Sequence, residues 1–267
     1  MRIAVTGSGG FLGGHVVHAA RARGWEVVPI RLAGHLTTPD AAALGPLLAP
    51  AVSCDVLVNC AAALKPVSAF DHFINAEAPA HMATMMSAAG GWLLHVGSAN
   101  VSLPCLTDSY SRAKRAADTA LAALAGVRRI DPGLIWSWSG EGPAAMVARY
   151  LDMPLPVHPV PWPCNLYRPI LAPDLAALLC DMVEEGPGGA SKVLVVGDRR
   201  ITLFDLVRAM ARRRGRRLLP VPTQWLASLV GARALSGSPL LQQFLALDRG
   251  LDDAVGERRV LPFSLPA

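Results

Sequence analysis

Short unbroken apolar runs alternate with stretches of helical spacing along the first half of the chain. Ile3-Ala4-Val5 opens the series and reads as a buried strand, since no polar residue interrupts it. Val16, Val17 and Ala20 then recur at helical intervals. The pattern continues with a strand over 26–32, loop and short helix over 35–50, a strand over 55–60, a helix over 73–89 and a strand over 93–96. A helix from about residue 108 and a strand over 127–130 follow. Asp131-Pro132-Gly133 is expected to break that strand before Leu134-Ile135-Trp136. Alternation of this kind implies right-handed crossovers and a parallel sheet buried on both faces.

The pattern changes near residue 154. Residues 154–163 are rich in proline and cannot be helix, so they read as a rigid substrate-side loop or as a linker over the surface. A helix over 174–185 starts at Pro173, a strand covers 192–196, and Thr202 is placed to cap a helix over 203–214. Helices of a small domain are expected at 224–235 and 239–247, and residues 250–267 carry little signal.

Hydrophobic residues make up 52% of the 267 positions, which raises the question of a membrane. No uninterrupted apolar stretch reaches about 18 residues, so no spanning helix is expected. Met1-Arg2 leads straight into the first strand, which leaves no signal peptide in this reading. Five cysteines, none in a C-x-x-C pair, fit reduced thiols in the cytoplasm, with neither a disulfide framework nor a metal site. Much of the net charge of +5 sits in Arg208, Arg212, Arg213, Arg214, Arg216 and Arg217. Few aromatics accompany them, so they read as a solvated helix face and its end, and no nucleic-acid partner is expected.

The chemistry begins in the turn after the first strand. Thr6 to Gly13 spells T-G-x-x-G-x-x-G. Gly7 serves the tight turn, Gly10 the approach of backbone to a pyrophosphate, and Gly13 close packing of helix on strand; Ser8 and Gly9 complete the loop. The anion would sit on the helix N-terminus. Arg31 stands where NAD-binding units place an acidic ligand for the ribose 2′-hydroxyl. A guanidinium cannot accept from a hydroxyl but pairs with a 2′-phosphate, which favours NADP(H) and leaves NAD(H) possible. Small residues at 61–63 let backbone pass close to the cofactor.

Tyr110 and Lys114 are one helical turn apart. A lysine beside a phenol is expected to lower the pKa of Tyr110, so that it can exchange a proton with a carbonyl oxygen near neutral pH. Ser98, at the end of the strand over 93–96, can donate to the same oxygen. Taken alone, the pair fits a half-buried tyrosine and a surface lysine equally well.

Together these residues resemble the extended short-chain dehydrogenases/reductases, over most of the chain. The T-G-x-x-G-x-x-G turn is similar to that of the sugar-nucleotide epimerases, and residues 55–62 resemble the family's D-V-x-x-N-x-A-A strand. Asn75, Ser98, Tyr110 and Lys114 fall where the family keeps an asparagine and its catalytic serine, tyrosine and lysine. A narrower resemblance, to the dTDP-4-dehydrorhamnose reductases, rests on the short path from Arg31 to Asp55 and on the run Arg168-Pro169-Ile170-Leu171-Ala172-Pro173-Asp174-Leu175-Ala176.

What the resemblance implies is a Rossmann-type doubly wound parallel α/β sheet with a small C-terminal substrate-binding subdomain. Residues 1–150 would form the NAD(P)-binding domain. Residues 151–267 would mainly bind substrate, with a helix and strand at about 173–200 returning to the sheet. It implies hydride delivery to a ketone, with Tyr110 protonating the oxygen, Lys114 tuning Tyr110 and binding the nicotinamide ribose, and Ser98 orienting the carbonyl. Phe11, Leu12, Cys60, Ala61, Ala62, Asn75 and Pro132 would complete the cofactor site. Arg168 would bind substrate with Ser98, and a homodimer would follow from family habit.

Three features depart from the family: Ser98 and Tyr110 are only twelve apart, Asp131 stands where an arginine is usual, and the chain is short. The substrate stays open between a nucleotide sugar, met by Arg168, Arg149 or Lys65, and an apolar ketone among Trp136, Trp138, Trp162 and Tyr167, which read equally as core. An epimerase or dehydratase that retains its nicotinamide, and a non-catalytic NADP-binding scaffold or sensor, are the alternatives.

Overall fold

Ile3, Ala4 and Val5 are wholly buried because β1 (Arg2–Thr6) is an inner strand of the sheet. The computed structural model describes residues 1–64, 68–103, 106–162, 166–222 and 257–266. After β1 come α1 (Phe11–Ala22), β2 (Glu26–Ile30), α2 (Ala41–Leu48) and β3 (Val56–Asn59). Then follow α3 (Ala69–Ala76), α4 (Ala78–Ala88), β4 (Trp92–Val96), α5 (Ser109–Ala122) and β5 (Val127–Pro132). The second half holds β6 (Ile135–Trp136), α6 (Ala144–Asp152), β7 (His158–Trp162), β8 (Leu166–Tyr167) and β9 (Ile170–Leu171). It ends with α7 (Ala172–Glu185), β10 (Lys192–Gly197), β11 (Ile201–Thr202), α8 (Leu203–Arg213), β12 (Leu218–Pro222) and β13 (Glu257–Leu261).

Seven strands form one sheet in the order β13-β10-β5-β4-β3-β1-β2, and every neighbouring pair is parallel. The chain runs outward from β1 to β2 and then returns to the other side with β3. In such sheets a crevice opens beyond the carboxyl ends of the strands where the order reverses. On one face Val5, Val16, Leu94, Leu175 and Leu179 form a core that seats α1 and α7. On the other, Leu44, Leu57, Met82, Leu93 and Leu121 seat α2, α4 and α5. A third core, with Trp136, Leu151, Tyr167, Leu206 and Phe263, belongs to the smaller subdomain.

Several boundaries differ from the sequence reading, each for a local reason. The helix over 73–89 is two helices, because Pro79 lacks the N–H that would continue the first. Ser68 and Asp71 start α3 with a reciprocal capping box. Strand β5 does not stop at Asp131. Gly133 N donates to Val195 O at 2.9 Å, so the Pro132 nitrogen faces the opposite side, where β4 has already ended. The proline-rich stretch is strand β7, parallel to β12. Its Pro159 and Pro161 alternate with Val160, so their missing donors fall on one edge of a two-stranded ribbon. The last strand, β13, carried no periodic signal. It is an exposed edge tied down by Arg259, which meets both oxygens of Glu185 at 2.8 and 3.1 Å. The helices expected at 224–235 and 239–247, and Lys65, lie outside the described residues.

Glu185 also binds Arg128, a fully buried guanidinium on β5. Arg128 donates to Met182 O at 2.7 Å, Gly186 O at 2.9 Å and Ala190 O at 3.2 Å. It therefore satisfies the carbonyls that α7 leaves open at its C-terminus. Arg128→Leu is expected to lower unfolding stability by about 3 kcal/mol, because those acceptors become buried without donors. Urea denaturation read by circular dichroism checks this, and an unchanged midpoint would refute it.

Candidate active site

Gly7 has φ +67°, and a Cβ there would lie 2.8 Å from Ala61 N. The turn after β1 thus presses directly on the exit of β3, at the point where strand order reverses. A Cβ at Gly13 would overlap the Gly7 carbonyl, so α1 can cross the turn this closely only without a side chain. The helix begins at Gly10 with no side-chain cap, which leaves its first-turn N–H groups open to an anion. The exit of β3 is held from below by Asn59, which accepts from Thr6 Oγ1 at 2.6 Å and Ala61 N at 3.1 Å. Its amide meets His95 Nδ1 at 3.0 Å. Burial, with Lys114 and Arg129 nearby, keeps His95 neutral.

A cleft of about 1230 Å³ lies over this junction. That is room for a dinucleotide and a small second ligand. Gly7, Gly9, Gly10, Phe11 and Leu12 line one part of it, with Cys60, Ala61, Ala62 and Pro132. Arg31 lines it from the end of β2, its Nε 3.5 Å from where a Cβ on Gly9 would stand. Ser98, Tyr110 and Lys114 line the far part with Asn100, Leu134, Met146 and Arg149. Among the described residues the charged side chains of the lining are Arg31, Lys114 and Arg149 against Asp71, a balance that suits an anionic ligand.

Asp108 caps α5 by accepting from Ser111 N at 3.0 Å, and this start aims Tyr110 and Lys114 into the cleft. Both are buried. Lys114 Nζ donates to Val96 O at 3.2 Å and lies 6.0 Å from the Tyr110 ring centre. Burial pushes the Tyr110 phenol up to about 12, and its hydrogen bond with Ser98 only partly opposes this. The expected lowering by Lys114 is therefore not what the site does. Lys114 is itself brought down to about 8 by burial, against the attraction of Asp131. The physical reason is that burial disfavours the charged form of each group and dominates both shifts.

Residues 1–102 match the family model of the RmlD substrate binding domain. No curated protein matches the sequence. Among solved structures, a dTDP-4-dehydrorhamnose reductase from Clostridium acetobutylicum superposes with TM-score 0.69 at 17% identity, covering 83% of each chain. One from Bacillus anthracis, in complex with NADP, gives 0.70 at 15%, over 84% of this chain and 85% of that one. The Thermus thermophilus UDP-glucose 4-epimerase complex with NAD gives 0.63 at 16%, over 96% and 100%. The chain shares the fold of these two reductases and of the epimerase.

Within that fold some expected site residues fall elsewhere. Asn75 does not line the cleft; it is buried and clamps Ala63, accepting from its N–H at 3.0 Å and donating to its carbonyl at 2.8 Å. Ser8 turns its hydroxyl toward Ile30 O at 3.4 Å. Arg168 is likewise absent from the lining, and its carbonyl accepts from Gly197 N at 3.2 Å. Trp136 and Tyr167 are core residues of the smaller subdomain, and Trp162 is 53% exposed away from the cleft. The sequence reading missed the Asn59–His95 pair and the part played by Asp131, which lies behind Ser98. The departure of Asp131 from the family pattern was the one available signal.

Because the folded state holds Lys114 near 8 instead of its ordinary 10.5, its charge opposes folding below pH 8, and that cost fades as pH rises from 8 to 10.5. Lys114→Met is therefore expected to raise the melting temperature at pH 7 by a few degrees, with the gain gone near pH 10.5. Melting curves across that range check it, and a variant less stable than the parent at pH 7 would refute it.

Proposed function

We propose that the protein is an NADP(H)-dependent reductase of the extended short-chain dehydrogenase/reductase type. Its substrate would be a ketone, that of a keto-sugar nucleotide or a similar small molecule. One observation carries this reading: Ser98, Tyr110 and Lys114 share a single cleft with the glycine-rich turn and Arg31. The likeness in fold to two dTDP-4-dehydrorhamnose reductases, one of them bound to NADP, supports it.

In this reading the first turn of α1 receives the pyrophosphate, and the Arg31 fork pairs with the 2′-phosphate. Residues 60–62 would line the dinucleotide site, and Lys114 would hold the nicotinamide ribose. The cofactor, when bound, supplies the hydride. Tyr110, held as the phenol at neutral pH, is the proton donor for the ketone oxygen. Ser98 offers that oxygen a second hydrogen bond and so favours the charge that builds on it. Ala99 and Asn100 bring no carboxylate beside Ser98, which speaks against a dehydratase.

Calorimetric titration of the cofactor-stripped protein is expected to show NADPH binding at least about tenfold tighter than NADH, with Arg31→Asp abolishing the preference. Equal affinities would remove Arg31 from the phosphate site, and no binding of either would favour the scaffold reading. With a panel of keto-sugar nucleotides and simple ketones, Tyr110→Phe is expected to slow NADPH oxidation by about 100-fold or more. A loss of only a few fold would show that Tyr110 is not the acid.

A further inference from the structure

Asp131 is 1% exposed and stands on β5 just before Pro132, directly behind the catalytic end of the cleft. One carboxylate oxygen accepts from Ser98 N at 3.2 Å. The other lies 3.3 Å from Lys192 Nζ on β10. Gly97 makes room for it, since a Cβ there would collide with the carboxylate. Lys192 also reaches Asp118 at 2.8 Å, and Asp118 in turn takes Arg129 at 2.9 Å. A line of alternating charges therefore runs inward from the protein surface and ends at the backbone of Ser98.

We propose that Asp131 is the positioning residue of this site: its carboxylate, braced by Lys192, fixes Ser98 through the main chain and stands as the counter-charge to Lys114, whose Nζ holds the Val96 carbonyl two residues before Ser98. The proposal deepens the reductase reading and rests on it for the role of Ser98 and Lys114. The charged and titratable groups facing this centre come from every element around it. Lys114, Tyr110 and Asp118 come from α5, Lys192 from β10, Cys60 from the exit of β3, His95 from β4 and Arg129 from β5 itself. At neutral pH Tyr110 is a phenol and His95 is uncharged, while burial holds the Cys60 thiol up at about 12. Asp131 is thus the carboxylate whose field reaches Lys114, and its attraction leads the influences that oppose burial there. Burial outweighs the opposing pull of Lys192 and leaves Asp131 raised to about 6, still ionised at neutral pH.

The chain has three lysines, Lys65, Lys114 and Lys192, so protein labelled with 13Cε-lysine gives a spectrum that Lys114→Met and Lys192→Met assign outright. Asp131→Asn keeps the shape and the acceptor for Ser98 N but removes the charge. The Lys114 titration, at about 8 in the parent, is expected to move down by about one pH unit in this variant. Asp131→Ser, a smaller change, must move it the same way and serves if the asparagine variant does not fold. A Lys114 titration that stays in place in folded Asp131 variants overturns the proposal. NADPH calorimetry on the same proteins separates the two readings. Parent-like NADPH affinity with a shifted lysine supports both. A shifted lysine in a protein that binds no NADPH retains the Asp131 assignment and removes only the reductase reading.

Discussion

The contact between Gly7 and Ala61 governs the geometry of everything above the sheet. At that point the turn leaving β1 touches the backbone leaving β3, with no space for a single methyl group between them. The positive φ at Gly7 turns the chain back over the strand, and the missing side chain at Gly13 lets α1 lie on top of the turn. An ordinary L-residue at Gly7 would meet both penalties together, an unfavourable backbone conformation and a collision with main chain that cannot rotate away. The buried polar trio of Thr6, Asn59 and His95 then fixes the two strand ends in register just below. The backbone-lined floor of the cleft depends on that tolerance.

The catalytic end obeys a different constraint, the cost of burying charge. Tyr110 and Lys114 are both nearly inaccessible, and desolvation moves each toward its neutral form. A lysine left alone in such a place would lose its proton near neutral pH. The carboxylate of Asp131, itself poorly solvated, is kept ionised by a lysine that is partly exposed and shared with Asp118. Charge is therefore relayed inward from partly solvated groups, each step shorter than 3.5 Å except the last one to Lys114, which acts through the field. The arrangement accepts a stability cost in return for a buried cation at the wall of the cleft.

Most of the central sheet was legible because its strands are buried on both faces and read as apolar blocks. The failures are instructive. Strand β13 is an edge, and its Glu257-Arg258-Arg259 run looks like loop to any periodicity argument. Strand β7 was hidden by prolines, which are harmless in a ribbon that has a free edge on either side. At the site, glycine spacing and the Tyr110–Lys114 step could be read because both follow from local geometry. Asn75 could not be separated from the ligand-facing residues, since its partner, the Ala63 backbone, is twelve residues away. Nor could the direction of the tyrosine shift be read, because it depends on burial, which sequence neighbours do not reveal.

The short path from Ser98 to Tyr110 raises the question of what replaces a longer loop. The answer lies in local bonding. A single 3-10 turn over Ala99–Ser102 follows Ser98, whose hydroxyl accepts from Asn100 N at 3.3 Å. The Asn100 side chain donates to Ser111 Oγ at 3.3 Å, and Ser111 in turn donates to Asp108 at 2.6 Å, the residue that caps the helix carrying Tyr110. Arg115 closes the same segment from the far side by donating to the carbonyls of Asn100, Leu103 and Leu106. Ser98 and Tyr110 are thus tied to one another through side chains of the connecting segment itself. The serine, the capped helix and Asp131 thus form one bonded unit, and Met146 and Arg149 of α6 make the cleft wall beside them.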